Sequence, residues 1–395
     1  MPYTAESMCE VIDRVFAGTD VVIAVRNRSY HSRLSPMRKM MSYGSKLLNR
    51  IFLNIRHTDT QGGLKGLSPR ARAVMLRTRI SDFLFDTEFV VLAARDKRLR
   101  IEEVETMLRD GIVMSAMSPR VLFRELRNFF RIAHPPMTVT LGFDVEEFDF
   151  PLERGRGIDF GTQLAVSSEG LEFLLDLLAR LELRATFYTT ANFALHRTDL
   201  VRRIVAGGHE VASHDYYHGL TAGSDPAGSR RTLEELTGQR IVGYRAPRLA
   251  AASSAALAAA GYRYNSSINP TWIPTRYNNL RAPCSVSREE GLTIYPVSVS
   301  APFRVPLFWI SLHVMPLPLY KLLCRSALRR DGHLNLYFHP WEFSARLREP
   351  AFGVPGYLTH CSGTDLQRKF IRLLEWLKAR GCRFLTTREY LGCDE

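Results

Sequence analysis

The sequence lacks several features that would settle its class at once. It has six cysteines, Cys9, Cys284, Cys324, Cys361, Cys382 and Cys393, but no Cys-x-x-Cys pair among them. That excludes a disulfide framework and a zinc-thiolate cluster and suits a reducing cytoplasm. No uncharged apolar run reaches membrane-spanning length. The longest candidate, Val305 to Tyr320, is interrupted by Pro306, Pro316 and Pro318 and reads as a buried or lipid-touching loop. Residues 1–18 give no signal peptide, because Glu6, Glu10 and Asp13 break any apolar core. Internal repeats, low-complexity stretches and nucleic-acid-binding signatures are missing too, so no nucleic-acid partner is expected.

What is present is an ordinary globular composition, 46% hydrophobic and 24% charged over 395 residues, long enough for two domains. The net charge is +13, and it is unevenly placed. Residues before 137 hold 23 basic against 14 acidic side chains, whereas the remainder is close to balance. A basic front segment and a near-neutral body therefore read as separate modules, and the front favours an anionic partner.

The front segment, residues 1–134, is a broken α/β pattern. Asp20 to Val25 reads as a buried strand, Pro36 to Ile55 as a helix, and His57 to Lys65 as a polar loop. Further helices are expected near 68–78 and 84–94, followed by an extended piece from Leu99 to Met107. From Pro119 to Ile132, the apolar set Val121, Leu122, Phe123, Leu126, Phe129 and Phe130 alternates with Arg120, Arg124, Arg127 and Arg131. This is a basic amphipathic helix, suited equally to an anionic membrane surface or to packing on its own domain. His134-Pro-Pro136 is a natural joint, since two prolines cannot continue a helix.

From 137 to 395 the pattern is clearly β/α. Strands are expected at 137–143, 185–189, 210–213, 241–244, 295–300, 334–339 and 384–386. Helices are expected at 167–181, 199–206, 250–260 and 365–380. Such alternation implies a mostly parallel sheet or barrel, whose chemistry sits at the C-terminal ends of strands.

Three ionisable clusters fall at such ends: Asp144-Val-Glu146-Glu147, His214-Asp-Tyr-Tyr-His218 and His339-Pro-Trp-Glu342. The His-x-x-x-His spacing would put two imidazoles one helical turn apart on one side. Two histidines with a carboxylate make an open site for a divalent metal. Taken singly, each cluster is equally at home as a surface pair, a turn carboxylate or a packed strand-end histidine.

Together the clusters resemble the polysaccharide deacetylase family (NodB homology, carbohydrate esterase family 4) over about residues 137–391. The matching motifs are Phe143 to Glu153 (FDVEEFDFPLE), Gly208 to His218 (GHEVASHDYYH), Tyr244 to Arg248 (YRAPR) and Tyr337 to Trp341 (YFHPW). The resemblance implies a distorted (β/α) barrel that hydrolyses an acyl group on a sugar with a divalent metal. Zn2+ is the first candidate, with Co2+, Mn2+, Ni2+ or Fe2+ as alternatives. Carried over, Glu146, His214 and His218 would hold the metal, and Asp144 would take the proton from the attacking water. His339 would protonate the leaving amine, and Arg245 would hold Asp144. Amide hydrolysis needs these parts on general grounds: an activated water, a sink for oxyanion charge, and a proton donor.

The chain departs from the family pattern at two positions. Asn265 stands where an Asp usually orients the acid histidine, so either activity is lowered or another carboxylate substitutes. Arg248 stands where many members have an aromatic residue, and it could meet an anionic group such as a substrate phosphate. Trp272, Tyr277 and Trp341 suit a sugar ring and are expected, with Arg248, to bind substrate.

Residues 1–132 resemble the C-terminal half of a family 2 glycosyltransferase of the polyprenyl- or dolichyl-phosphate sugar synthase kind. The pieces are Asp20 to Arg26, Asp59 to Gly66 and Phe85 to Glu88, a partial GT-A-like α/β segment. Its nucleotide-binding half and D-x-D motif are absent from the sequence, so it is expected to transfer no sugar. It would be either the remainder of a longer bifunctional enzyme or a docking module.

The leading expectation is metal-dependent N-deacetylation of an amino sugar in a lipid-linked precursor or surface polysaccharide. The chain would lie in the cytoplasm, peripheral to the inner face of the membrane. Two alternatives stand beside it: deformylation of a polyprenyl-phosphate-linked amino sugar, and a non-catalytic glycan- or lipid-binding protein whose site has decayed.

Overall fold

A computed structural model describes residues 3–26, 36–53, 55, 60, 62–76, 78, 80–96, 99–107, 119–133, 137–219, 223–274 and 276–393. The His134–Pro136 joint and much of the 57–65 loop lie outside the described residues. The chain divides into two compact units, residues 1–135 and 136–395.

The front unit is built on a three-stranded sheet. β1 (Val21–Arg26) runs antiparallel to β2 (Lys65–Leu67) and parallel to β3 (Ile101–Thr106). Its apolar core joins Val21 and Ile23 to Phe89, Val90, Phe129 and Ile132. Four helices of the pattern form close to their expected places, at Pro36–Phe52, Pro69–Met75, Phe85–Arg95 and Pro119–Ala133. A fifth, Ala5–Phe16, carries Thr4 as N-cap and was not anticipated. In helix Pro119–Ala133 only part of the apolar set turns inward: Phe129 and Ile132 are buried, whereas Leu122, Phe123 and Leu126 are exposed.

The rear unit is α/β. Its principal sheet holds β4 (Thr138–Val145), β5 (Thr186–Thr189), β6 (Glu210–Ser213), β7 (Gly243–Tyr244) and β8 (Tyr264–Asn265). A hairpin β9 (Trp272–Ile273) and β10 (Tyr277–Asn278) stands apart. The principal sheet continues with β11 (Ser287–Glu289), β12 (Leu292–Ile294) and β13 (His333–Phe338), in the order β11-β12-β8-β7-β6-β5-β4-β13. A last strand, β14 (Arg383–Phe384), also pairs with β4. Within this principal sheet all pairings but β11 with β12 are parallel.

The sheet curls. Residues 295–298, expected as a strand, form no ladder but lie between its two ends. Tyr295 N–H donates to the Asn265 carbonyl (2.9 Å), Val297 N–H to Ile268 (2.8 Å), and Ser298 N–H to Asn335 (2.9 Å). Strand alternation then sorts the side chains. Val139, Leu141, Phe143 and Val145 of β4 enter the core beneath the helices. Thr140, Gly142 and Asp144 take the opposite, inner face, where the Thr140 and Tyr295 hydroxyls meet at 2.9 Å.

The segment from Val305 to Tyr320 corrects the expectation of a loop. It folds into helices Trp309–Val314 and Leu317–Asp331. Proline ends one helix and opens the next: Pro316 caps Leu317–Asp331, and Pro318 sits in its first turn, where a missing N–H costs nothing. Leu307, Trp309, Leu312, His313 and Tyr320 are buried by this arrangement. Among the described residues, no helix is long and apolar enough to cross a membrane.

Helix Phe160–Leu181 packs on the turn that follows β13, and Gly170 is the contact point. A Cβ there would lie 1.7 Å from the Pro340 carbonyl oxygen. Helix propensity favours Gly170→Ala by roughly 0.5–1 kcal/mol, but displacing a packed backbone costs about 1–3 kcal/mol. Gly170→Ala should therefore lower the urea midpoint, and a raised midpoint would show that the turn yields freely.

Candidate active site

Every side chain of the site is delivered from the C-terminal end of a parallel strand. Asp144 and Glu146 come from β4, His214 and His218 follow β6, Arg245 follows β7, Ser266 follows β8, and His339 follows β13. All are buried.

Glu146 is the centre of the first group. Its Oε2 lies 3.1 Å from His214 Nε2 and 3.0 Å from His218 Nε2. The ligand atoms of these three residues all fall within 4.8 Å of one another. The outer ring nitrogens fix the tautomers: His214 Nδ1 faces the Arg245 carbonyl at 2.9 Å, and His218 Nδ1 faces Asp149 at 3.0 Å. Both Nδ1 atoms must donate there, so in the neutral rings both Nε2 lone pairs point at a carboxylate oxygen. Three electron-rich atoms facing one place repel unless a positive charge joins them, so the donor set fits a divalent cation. Burial would raise the pKa of Glu146, but the charges of His218 and His339 and the His214 contact pull it well below the ordinary carboxylate range. The same field raises His218 against its burial, with Glu146 and then Asp149 responsible.

The spacing argument for the histidines needs correcting. Residues 214–219 are not helical. Asp215 turns the chain at a φ of 65°, and its carboxylate accepts from Tyr216 N–H (2.7 Å), Asp225 N–H (2.8 Å) and the Tyr244 hydroxyl (2.8 Å). The imidazoles still end stacked, with centroids 5.6 Å apart at 20°.

Beside this group, Arg245 Nη1 donates to Asp144 Oδ1 at 2.7 Å. The guanidinium is fully buried, held also by the Ser266 carbonyl (3.1 Å) and hydroxyl (3.0 Å), and lies 3.9 Å over the Tyr188 ring. Burial opposes its charge, but Asp144, with Tyr188 and Tyr337 adding to it, moves its pKa upward. The fit depends on Gly142, where a Cβ would come within 2.8 Å of Arg245 Nη1.

His339 is held by a carboxylate three residues ahead. Glu342 Oε1 accepts from the His339 backbone N–H (2.6 Å) and faces its Nδ1 (2.9 Å). The other oxygen, Oε2, faces His313 Nε2 at 2.9 Å, and His313 Nδ1 in turn faces the Leu358 carbonyl at 3.0 Å. Burial would lower the pKa of His339, but Glu146 and Glu342 raise it to about 9. Glu342 moves below its ordinary value, because His313 and His339 together outweigh its burial. Asn265 is used elsewhere: its amide oxygen accepts from Ser267 N–H at 3.0 Å and from the Ser267 hydroxyl.

The four expected substrate contacts are placed as follows. Trp341 is buried; its Nε1–H donates to Glu146 Oε1 (3.0 Å) and its ring stacks on His339 at 4.8 Å and 22°. Arg248 donates to Asp149 (2.9 Å), Glu153 (2.7 Å) and the His218 carbonyl. Two carboxylates thus occupy a guanidinium that was expected to face a substrate anion. Trp272 and Tyr277 lie on the two strands of the separate hairpin, opposite Asn278 and Ile273 respectively. Trp272 is 58% exposed, and the Tyr277 hydroxyl accepts from Asn269 Nδ2 at 3.1 Å. Asp149, His313 and Trp309, whose ring meets His339 edge-on at 5.1 Å, were not singled out from the sequence. For Asp149 a signal existed, since it lies inside the first motif.

Comparison with known proteins bears on part of this site. Residues 158–265 match the family profile described as polysaccharide deacetylase, a range that includes His214, His218 and Arg245. Over 45 residues the chain is 47% identical to a chitooligosaccharide deacetylase of Sinorhizobium fredii. This covers 11% of the chain and 21% of the relative, so the match spans about a fifth of that protein's length. Among solved structures, a family 4 carbohydrate esterase from Bacillus anthracis is 15% identical, covering 66% of this chain and 84% of that one at a TM-score of 0.36. A peptidoglycan N-acetylglucosamine deacetylase is 16% identical, covering 65% and 88% at a TM-score of 0.37. The stretch from residue 158 to 265, with two histidines and the arginine of the site, is thus similar to polysaccharide deacetylases.

Proposed function

We propose that the chain is a carbohydrate deacetylase that hydrolyses the N-acetyl group of an amino sugar, with a divalent cation, Zn2+ foremost, held by Glu146, His214 and His218. The observation that carries this reading is the convergence of those three side chains beside two further pairs, Asp144 with Arg245 and His339 with Glu342. The bound cation would supply Lewis acidity, polarising the acyl carbonyl and acidifying a water. Arg245 holds Asp144 by Oδ1, which leaves Oδ2 to take the proton of the attacking water. The water oxygen bonds to the acyl carbon and the C–N bond breaks. His339, fixed through Nδ1, gives its Nε2 proton to the departing amine, and acetate is released. The rings of Trp309 and Trp341 pack against His339 and keep bulk water from that proton.

The substrate class in this reading is an amino sugar on a polyprenyl phosphate or in a surface glycan, met in the cytoplasm at the inner face of the membrane. Six free thiols and the basic front unit are in keeping with it. The front unit acts as a docking module in this reading. A decayed, non-catalytic site is disfavoured because Glu342 provides the carboxylate that Asn265 does not.

The test is release of acetate and of formate from N-acylated amino sugars by the Zn2+-loaded chain. Acetate is expected. Formate alone would move the assignment to a deformylase, and release unchanged in Asp144→Ala would overturn the mechanism.

A further inference from the structure

Two helices of the front unit bury polar side chains and leave apolar stripes exposed. Helix Pro36–Phe52 buries Asn49, whose amide donates to the buried Thr60 hydroxyl at 3.1 Å. It presents Tyr43 (72% exposed), Leu47 and Ile51 (63% exposed) along one stripe. Helix Pro119–Ala133 likewise buries Glu125, which accepts from Leu84 N–H at 3.1 Å, and Asn128, which donates to Asp82 at 3.2 Å. It presents Leu122, Phe123 (73% exposed) and Leu126. The helices adjoin, for the rings of Phe52 and Phe129 meet edge-on at 6.2 Å. An exposed apolar surface of this kind marks an interaction site.

Charge selects the occupant. The two helices contain eight Lys or Arg and one acidic residue, Glu125, which is buried. Asp82, on the turn before helix Phe85–Arg95, pairs with Arg124 at 3.3 Å. Nucleic acid would use the cations and leave the apolar stripes wet. A conventional protein groove would use the stripes and leave the cations unmatched. A bilayer with anionic headgroups uses both, taking the apolar side chains below the headgroups and the basic ones among the phosphates.

We infer that the paired helices Pro36–Phe52 and Pro119–Ala133 form a docking surface for an anionic phospholipid bilayer. This deepens the reading of a membrane-borne substrate but is measured without any sugar, so binding and deacetylation can fail separately.

The experiment is co-sedimentation of the full chain with vesicles of phosphatidylglycerol and phosphatidylcholine, and of phosphatidylcholine alone. The unaltered chain should pellet with the anionic vesicles and at least tenfold less with the neutral ones. A Leu47→Glu, Ile51→Glu, Leu126→Glu variant should lose at least tenfold in anionic-vesicle binding. Circular dichroism checks its fold, and Arg127→Gln with Arg131→Gln gives a charge-only second variant, expected to bind several-fold more weakly. The proposal is overturned if the chain ignores anionic vesicles, or if the variants bind as tightly as the unaltered chain. It is also overturned if the stripes are covered by a second copy, seen as a dimer in sedimentation velocity that the glutamate variant dissociates.

Discussion

Asp144→Asn should lower the rate of acetate release about 10²- to 10⁴-fold, the span that a positioned general base contributes. The loss should fall on kcat with KM nearly unchanged, because the proton moves only as the transition state forms. Cation stoichiometry should stay the same, since Glu146, His214 and His218 are untouched. Stability will suffer as well: Arg245 is fully buried, and removing its counter-charge leaves a guanidinium whose desolvation costs about 3–5 kcal/mol. The rate must therefore be read on protein shown to be folded by circular dichroism. A folded Asp144→Asn chain with full kcat would remove Asp144 from the chemistry.

Glu342→Gln is expected to have the other large effect. One carboxylate faces two buried imidazoles, at 2.9 Å on each side, and breaking such a set costs about 3–5 kcal/mol. Its pH dependence separates this role from packing. In the metal-free chain the pKa of His339 is raised to about 9, above the unfolded value of roughly 6.5. Its contribution is thus complete below pH ~6.5 and disappears as pH climbs through about 9. Glu342 moves the other way: a depressed carboxylate stabilises above its unfolded pKa, and that part is lost in acid. Urea midpoints of metal-free protein should fall from pH 6.5 to 9, and in Glu342→Gln that decline should be smaller and end at lower pH. Identical profiles for the two chains would show that Glu342 does not act on the charge of His339.

The convergence of the residues proposed for catalysis was legible because each member lies in a short motif at a strand end, and parallel strands bring those ends together. Asp144, Glu146, His214, His218, Arg245 and His339 needed no long-range knowledge beyond that. What surrounds them did. His313 meets Glu342 across 29 residues, from a segment whose prolines suggest a loop but in fact open a helix. Arg248 meets Asp149 and Glu153 across 99 and 95 residues, and a lone arginine in a motif does not reveal which acid it will find. Asn265 left two outcomes open, a weakened site or a substitute carboxylate, and the contact of Glu342 with His339, on a turn whose geometry the pattern did not show, favours the second. In the front unit, helix positions were readable from periodicity, but the buried face was not. Polar partners at Thr60, Leu84 and Asp82 draw Asn49, Glu125 and Asn128 inward and leave the apolar stripes outside.

The cation site is the claim on which the mechanism depends, and Co2+ titration of the metal-stripped chain tests it most directly. With metal content measured alongside visible absorption, the unaltered chain should take up one equivalent. A Glu146→Gln, His218→Ala chain should take up none at the same concentrations. Failure of the unaltered chain to bind Co2+ or Zn2+, or retention of a full equivalent by the doubly altered one, would contradict the account.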